Sequence, residues 1–184
     1  MFKILLIFFI LNFFTAVQSS IKEKIISNLE QINNISFNFK QEIDNKNENG
    51  NCIIKYPKKI YCEYDNLNKK IIVSNGKNLA IKNRNSGTFY IYPLEKTLLK
   101  FLLDKNYLIK KIKKLEYRDI NSKYLNFKIL ENKKEINIFF DKKNHNLVGW
   151  QTEDLYQNLT ITFIFLVKIN QNIDEKIFIL PQRD

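Results

Sequence analysis

The side chains with chemistry to offer are few and poorly placed for catalysis. His145 is the only histidine, and it stands in a polar stretch, Lys142 to Asn146, with no second His or Cys at ligand spacing. A Ser-His-Asp triad or a zinc centre therefore lacks its parts, and a turn position is its expected role. Glu153-Asp154 and the pair Glu42 and Asp44 are carboxylates of the kind that cleave glycosides, but acids this close together in turns are ordinarily solvated. Phosphate-cradling loops need clustered glycines, and Gly50, Gly76, Gly87 and Gly149 are scattered singly. The chain reads as a non-enzyme with no catalytic residue, metal site or cofactor.

Cys52 and Cys62 are the remaining reactive groups. In NCIIKYPKKIYCEY two strands flank Pro57-Lys58, and a three-residue turn from Tyr56 to Lys58 sets Cys52 opposite Cys62. Opposed Cβ atoms in such a pair lie about 4.5 Å apart, at the edge of disulfide reach. Either the two are bridged or they are thiols packed as small apolar residues, and the compartment bears on which.

The compartment is read from residues 1–19. Lys3 precedes an apolar run, Ile4 to Phe14, and small residues follow around Ala16, Val17 and Ser19. That run is short of the roughly 20 residues of a bilayer span, so it reads as a secretory signal peptide cleaved near Ser19; an uncleaved anchor is the alternative. No cysteine stands at the cleavage region to accept a lipid. The expected location is the periplasm, with residues 20–184 forming one domain large enough for its own core.

Composition narrows the partners. The 184-residue chain carries a formal charge of +11, yet arginine occurs only at Arg84, Arg118 and Arg183. Nucleic-acid binders favour arginine forks, so no nucleic-acid partner is expected; the lysines are a solvated surface or an attraction to anionic lipid headgroups. Apolar residues make up 45% and aromatics 14%, with only four glycines and three prolines, which argues against disorder.

These residues must be positioned by a chain that alternates its period. Ser20 to Glu23 has capping-box spacing, and Ile21, Ile25, Leu29 and Ile32 share one face of a helix. From Asn34 the period becomes two: Ile35, Phe37, Phe39, Gln41 and Ile43 lie on one side of a strand and Ser36, Asn38, Lys40 and Glu42 on the other. A loop, Asp44 to Asn49, leads into the cysteine hairpin. Strands follow at Lys70 to Ser74 and Leu79 to Lys82 around Asn75-Gly76, and at Thr88 to Tyr92. Pro93 opens a helix with Leu94, Leu98, Phe101 and Leu102 in phase. Asn106 to Lys114 is ambiguous among loop, helix and strand. Short strands resume at Tyr124 to Leu130, Glu135 to Asp141, Leu147 to Glu153, Leu159 to Lys168 and Lys176 to Leu180. The strand at Leu159 is apolar on both faces. Hairpin-length connections make this an antiparallel meander with helices laid over its concave side. The helices either fill that concavity or cover a pocket for an apolar ligand.

The order of segments resembles the outer-membrane lipoprotein carrier family, LolA. Phe39-Lys40-Gln41 is similar to the family's Phe-x-Gln after the first helix, and Gly50 to Ile60 to its Gly-led strand and Lys-Arg-Pro turn, followed by Glu63-Tyr64. Ile72 to Lys77 resembles its Val-Ser-Asp-Gly-Lys hairpin, and Pro93-Leu94 with Leu98-Leu99 its Pro-led helix. Phe140-Asp141, Leu147 to Trp150, Asp154, Thr160-Ile161, Phe178 and Pro181 match its C-terminal half in order.

The resemblance implies a mainly β fold, an incomplete antiparallel barrel of about 11 strands covered by short helices. It implies a monomeric periplasmic carrier of acylated lipoproteins. Cargo would pass from an inner-membrane lipoprotein-releasing ABC transporter to an outer-membrane acceptor, a receptor or the membrane itself. The alternative is a generic binder of lipids or other apolar ligands with the same fold. Lipid contact is expected at Phe37, Phe39, Ile54, Leu94, Leu98, Phe101, Leu102, Phe163 and Phe165. Tyr56 stands where the family has an arginine thought to hold the lid shut, so it is the latch candidate with one donor in place of five. Cys62 and Ala80 replace family aromatics, and Asn75 the usual Asp.

Overall fold

The computed structural model describes residues 21–44, 46–154 and 157–182; the signal-peptide segment 1–19 and Ser20 lie outside them. A helix, α1, covers residues 21–30. It enters β1 (Asn34–Ile43), the centre of an 11-stranded, wholly antiparallel sheet. One limb runs through β2 (Lys46–Lys55), β3 (Lys59–Tyr64), β4 (Lys70–Asn75), β5 (Asn78–Asn83) and β6 (Phe89–Pro93). The other consists of β7 (Arg118–Ile120), β8 (Tyr124–Glu131), β9 (Lys134–Asp141), β10 (Leu147–Glu153) and β11 (Leu159–Ile169). The order β6-β5-β4-β3-β2-β1-β11-β10-β9-β8-β7 leaves β6 and β7 as open edges. The expected incomplete barrel is therefore an open, curved sheet.

Topology creates the cover. The chain leaves the sheet at one edge, β6, and re-enters at the other, β7. Between them lie a 3-10 turn (Leu94–Lys96), α2 (Leu99–Leu102) and α3 (Lys105–Lys114). Register shifts by a residue between Ser36 and Asn38 on β1 and between Leu147 and Gly149 on β10, irregularities of the kind that bend a strand. Gly149 is obligatory at the second: a Cβ there would lie 2.3 Å from the Thr162 carbonyl oxygen.

The core is the concave face of the β8–β11 limb with its helices. Ile25 and Leu29 of α1 and Leu108 and Ile112 of α3 are buried against Phe37, Phe127, Ile138 and Phe140. Asp104 caps α3 by accepting the Tyr107 N–H at 3.0 Å, which sets the start of the helix in the stretch that periodicity leaves open.

Three expectations are corrected. The helix after Pro93 is broken in two, because Pro93 still pairs with Asn78 as part of β6. Buried Thr97 then turns both its N–H and its hydroxyl back onto the Leu94 carbonyl at 2.9 Å, closing a 3-10 turn instead of propagating a helix. The stretch Asp44 to Asn49 is mostly strand, since β2 pairs along the whole of β1 from Ile43↔Lys46 onward. The final expected strand, Lys176 to Leu180, is a 3-10 turn at Glu175–Phe178 capped by the Asp174 carboxylate. It lies against β3 and β4 with Phe178 buried.

Candidate functional site

The concave face of the β1–β5 limb is not filled. Between it and the segment from Glu95 to Phe101 lies a cavity of about 660 Å3. Of the two outcomes open from the sequence, the structure holds both: the helices fill one half of the concavity and cover space in the other. The cavity lies within the range of about 300–1,000 Å3 usual for small-molecule sites.

Strand alternation supplies its wall. Phe39 on β1, Cys52 on β2, Ile60, Cys62 and Tyr64 on β3, Ile72 on β4 and Leu79 and Ile81 on β5 all line it. Their registers, Cys52↔Cys62, Cys62↔Ile72 and Ile72↔Ile81, put them on one face. Cys52 and Cys62 are joined as a disulfide, so the bridge is itself part of the cavity surface. Leu98, Leu99 and Phe101 close the space from above. Phe101 is held by Tyr107, ring centroids 4.7 Å apart, and Tyr107 donates to the Glu131 carboxylate at 2.6 Å. A polar seam completes the lining: Gln41, Thr152, Thr160 and Thr162, with the Lys134–Glu153 ion pair beside it.

The expected lipid-contact residues divide into three groups. Phe39, Leu98 and Phe101 line the cavity. Phe37, Ile54, Leu94 and Leu102 are buried in the packed core beside it; Phe37 meets Trp150 edge to face at 6.0 Å. Phe163 and Phe165 lie on the outer, convex face, 38% and 47% exposed. There Phe163 stacks on Phe139 and stands 5.8 Å from Tyr124. The reason is register. β1 presents Phe39 and Gln41 to the cavity, and their partners on β11 are Ile164 and Thr162, so Phe163 and Phe165 must face out. An alternation apolar on both faces does not reveal this. Missed by the sequence reading were Ile60, Ile72, Leu79, Ile81 and Trp150, whose shared face could be found only by pairing the strands.

Tyr56 sits at the junction expected of a latch, between β2 and β3. Its hydroxyl is held neutral, burial pushing its pKa up to about 12, and its ring lies 6.0 Å beneath the Lys105 ammonium. Three lysines make bonds around it. The Lys58 N–H donates to the Leu103 carbonyl at 2.7 Å, and its ammonium pairs with Glu95 at 3.0 Å, with Lys100 on the same carboxylate at 3.3 Å. Hydrogen bonds from Lys58 and Lys100 hold the Glu95 carboxyl below its ordinary range. Lys105 donates to the carbonyls of Glu30 and Ile32 at 3.0 and 2.7 Å, tying the cover to the C-terminal end of α1.

Of the groups weighed for catalysis, Glu153 and Asp154 line the cavity. His145 occupies a positive-φ turn position (φ 62) between β9 and β10, Glu153 is paired with Lys134, and Asp154 accepts the Asn158 N–H in the β10–β11 turn. Among the described residues no group of three His, Cys, Asp or Glu side chains is placed to hold a metal ion, and no helix is long and apolar enough to cross a membrane.

A family model described as outer membrane lipoprotein carrier protein LolA matches residues 30–180. Among solved structures, the fold is similar to an uncharacterized conserved protein from Thermus thermophilus at TM-score 0.51 and 7% identity, covering 89% of this chain and 94% of that one. It is similar to a putative outer membrane lipoprotein-sorting protein domain from Vibrio parahaemolyticus at TM-score 0.50 and 8% identity, covering 86% and 94%. A LolA superfamily protein from Nitrosomonas europaea aligns at TM-score 0.47 and 8% identity, covering 89% and 97%. At these identities the likeness is one of fold. A search of curated proteins finds no match.

Proposed function

The chain belongs to the LolA family of outer membrane lipoprotein carrier proteins, whose model spans residues 30–180, and from that premise we propose that it carries acylated lipoproteins through the periplasm. In this reading residues 1–19 direct export and are removed, and residues 20–184 act as a monomer without catalysis. The chain takes cargo from an inner-membrane releasing transporter and yields it to an outer-membrane acceptor.

One observation carries the proposal: the covered cavity of about 660 Å3 whose wall is Ile60, Ile72, Leu79, Leu98 and Phe101. Each buried methylene is worth about 0.8 kcal/mol, so exposing an acyl chain of about 16 carbons to water costs more than about 10 kcal/mol. Seating it against this wall offsets that cost. Its cover is held by Lys58, Glu95 and Lys105, exchangeable polar contacts that open without breaking the core. Release then requires only an acceptor that binds the chain more tightly than the cavity does.

The test is recovery of cargo. Protein purified from the cell envelope is expected to bring acylated lipoprotein with it, identified by intact-mass spectrometry, and to lose it to outer-membrane vesicles on mixing. Recovery of free phospholipid alone would contradict lipoprotein carriage and favour a general lipid binder of the same fold.

A further inference from the structure

The cover carries charge as well as apolar side chains. Residues 94–114 hold seven lysines against two carboxylates, Glu95 and Asp104, a surplus of five in a chain whose formal charge is +11. Glu95 is taken up by Lys58 and Lys100, and Asp104 by the cap of α3. The surplus collects on α3. Its period turns Leu108, Ile109 and Ile112 into the core and leaves Lys110, Lys113 and Lys114, at i, i+3 and i+4, exposed on the outside. Among the described residues none of the three has a carboxylate partner, whereas Lys111, on the flank of the helix, pairs with Glu131 at 2.5 Å. With Lys105 the three line one open groove beside α1, in which Glu30 is the single carboxylate among the described residues. Cations near the C-terminal end of α3 complement the helix dipole, but that effect ends within the last turn and does not reach Lys105 or Lys110.

A partner for this face must be anionic and needs little shape. Protein interfaces have an apolar or aromatic centre and are poor in lysine. The exposed residues of α3 are Asn106 and the three lysines, with no such centre. A bilayer surface asks only for charge, and lysine is a compact, strongly hydrated cation that meets scattered phosphates without fixed geometry. Beyond the carrier reading, and independent of it, we infer that the lysine face of α3 is a membrane-docking surface that settles on anionic phospholipid headgroups, bringing the covered side of the sheet to the bilayer. Attachment by charge alone is reversible, and each lysine near such a surface raises the affinity about fivefold.

Residues 20–184, which hold every element of the fold, are mixed with vesicles of phosphatidylcholine containing about 30% phosphatidylglycerol and with vesicles of phosphatidylcholine alone, and bound protein is measured by sedimentation. Binding is expected on the anionic vesicles only, falling at least about tenfold between about 0.05 M and about 0.5 M salt. Lys110→Gln with Lys113→Gln and Lys114→Gln, exposed positions given another good helix former, should weaken it about 100-fold. Lys110→Arg, Lys113→Arg and Lys114→Arg together should keep it. Lys40→Gln with Lys77→Gln and Lys168→Gln removes the same charge from exposed sites elsewhere and should keep the affinity within about threefold. Equal binding to both vesicle types, no binding to either, or an equal loss in the two glutamine triples overturns the inference. Tighter binding of a poly-glutamate peptide than of the anionic vesicles would replace the membrane with an acidic protein partner. Each outcome leaves cargo carriage to the recovery test, because none of the substituted lysines lines the cavity.

Discussion

Paired replacement of Ile72 and Ile81 by tryptophan turns the capacity of the cavity into a measurable number. The two face each other across β4 and β5, both half-buried and both lining the cavity, so indoles there project into space instead of into packed core. A volume of about 660 Å3, at about 30 Å3 per water-sized group, admits about 22 methylene-sized groups. Each Ile-to-Trp change adds about six heavy atoms, so the double variant keeps room for about ten. Below capacity each added methylene strengthens binding by about 0.8 kcal/mol, roughly fourfold. For the wild type, affinities of saturated fatty acids of increasing length, read by dye displacement, should rise to about 20 carbons and then level off. In the variant the plateau should move to about ten, costing a 16-carbon chain about 5 kcal/mol, on the order of 10³-fold or more. An unchanged plateau, with folding intact by circular dichroism, would refute hydrocarbon occupancy of this space.

Reduction of the Cys52–Cys62 bridge, which closes a loop of sequence separation 10, should destabilise the domain by about 2–3 kcal/mol and lower its melting temperature by about 5–10 °C in calorimetry; an unchanged Tm would contradict it. Gly50→Ala should cost about 2 kcal/mol or more in urea denaturation, because the new Cβ would lie 2.1 Å from the Glu63 carbonyl oxygen and 2.8 Å from Phe39 Cζ; a neutral effect would show that β1–β3 yields there. Glu95 has a folded-state pKa held below the ordinary range by Lys58 and Lys100, so its clasp is fully present above the unfolded Glu value of about 4.3 and is lost as pH falls through the depressed one. Ligand dissociation by stopped flow should be faster in Glu95→Gln than in wild type at neutral pH and converge with it in acid; equal rates at neutral pH would remove Glu95 from the lid.

Short-range patterns told most of the fold. Asn75-Gly76 marked a two-residue turn that the structure places between β4 and β5, with Gly76 at φ +98, and the three-residue turn at Tyr56 to Lys58 fixed the Cys52↔Cys62 pairing. The family motifs marked an open, covered sheet. The misreadings came where the answer depends on a distant partner. Which face of β11 looks inward is decided by its register with β1, and the greasier face of Phe163 and Phe165 is the outer one. Thr97 stops a helix that Leu94, Leu98 and Phe101 favour by period, because its hydroxyl competes for the Leu94 carbonyl. Lys176 to Leu180 reads as a strand, but Asp174 caps a 3-10 turn there and Phe178 is buried against β3 and β4. The seam of Gln41, Thr152 and Thr162 is invisible as a site because its members come from three strands.

Photolabelling tests occupancy of the covered cavity most directly. Palmitate carrying a diazirine on its tail, irradiated with the folded protein and mapped by peptide mass spectrometry, should label β3 to β5 and residues 94–102, with Ile72, Ile81 and Leu98 foremost. Labels concentrated on Phe163 and Phe165 of the exposed convex face, with the cavity residues unmarked, would contradict carriage inside the sheet.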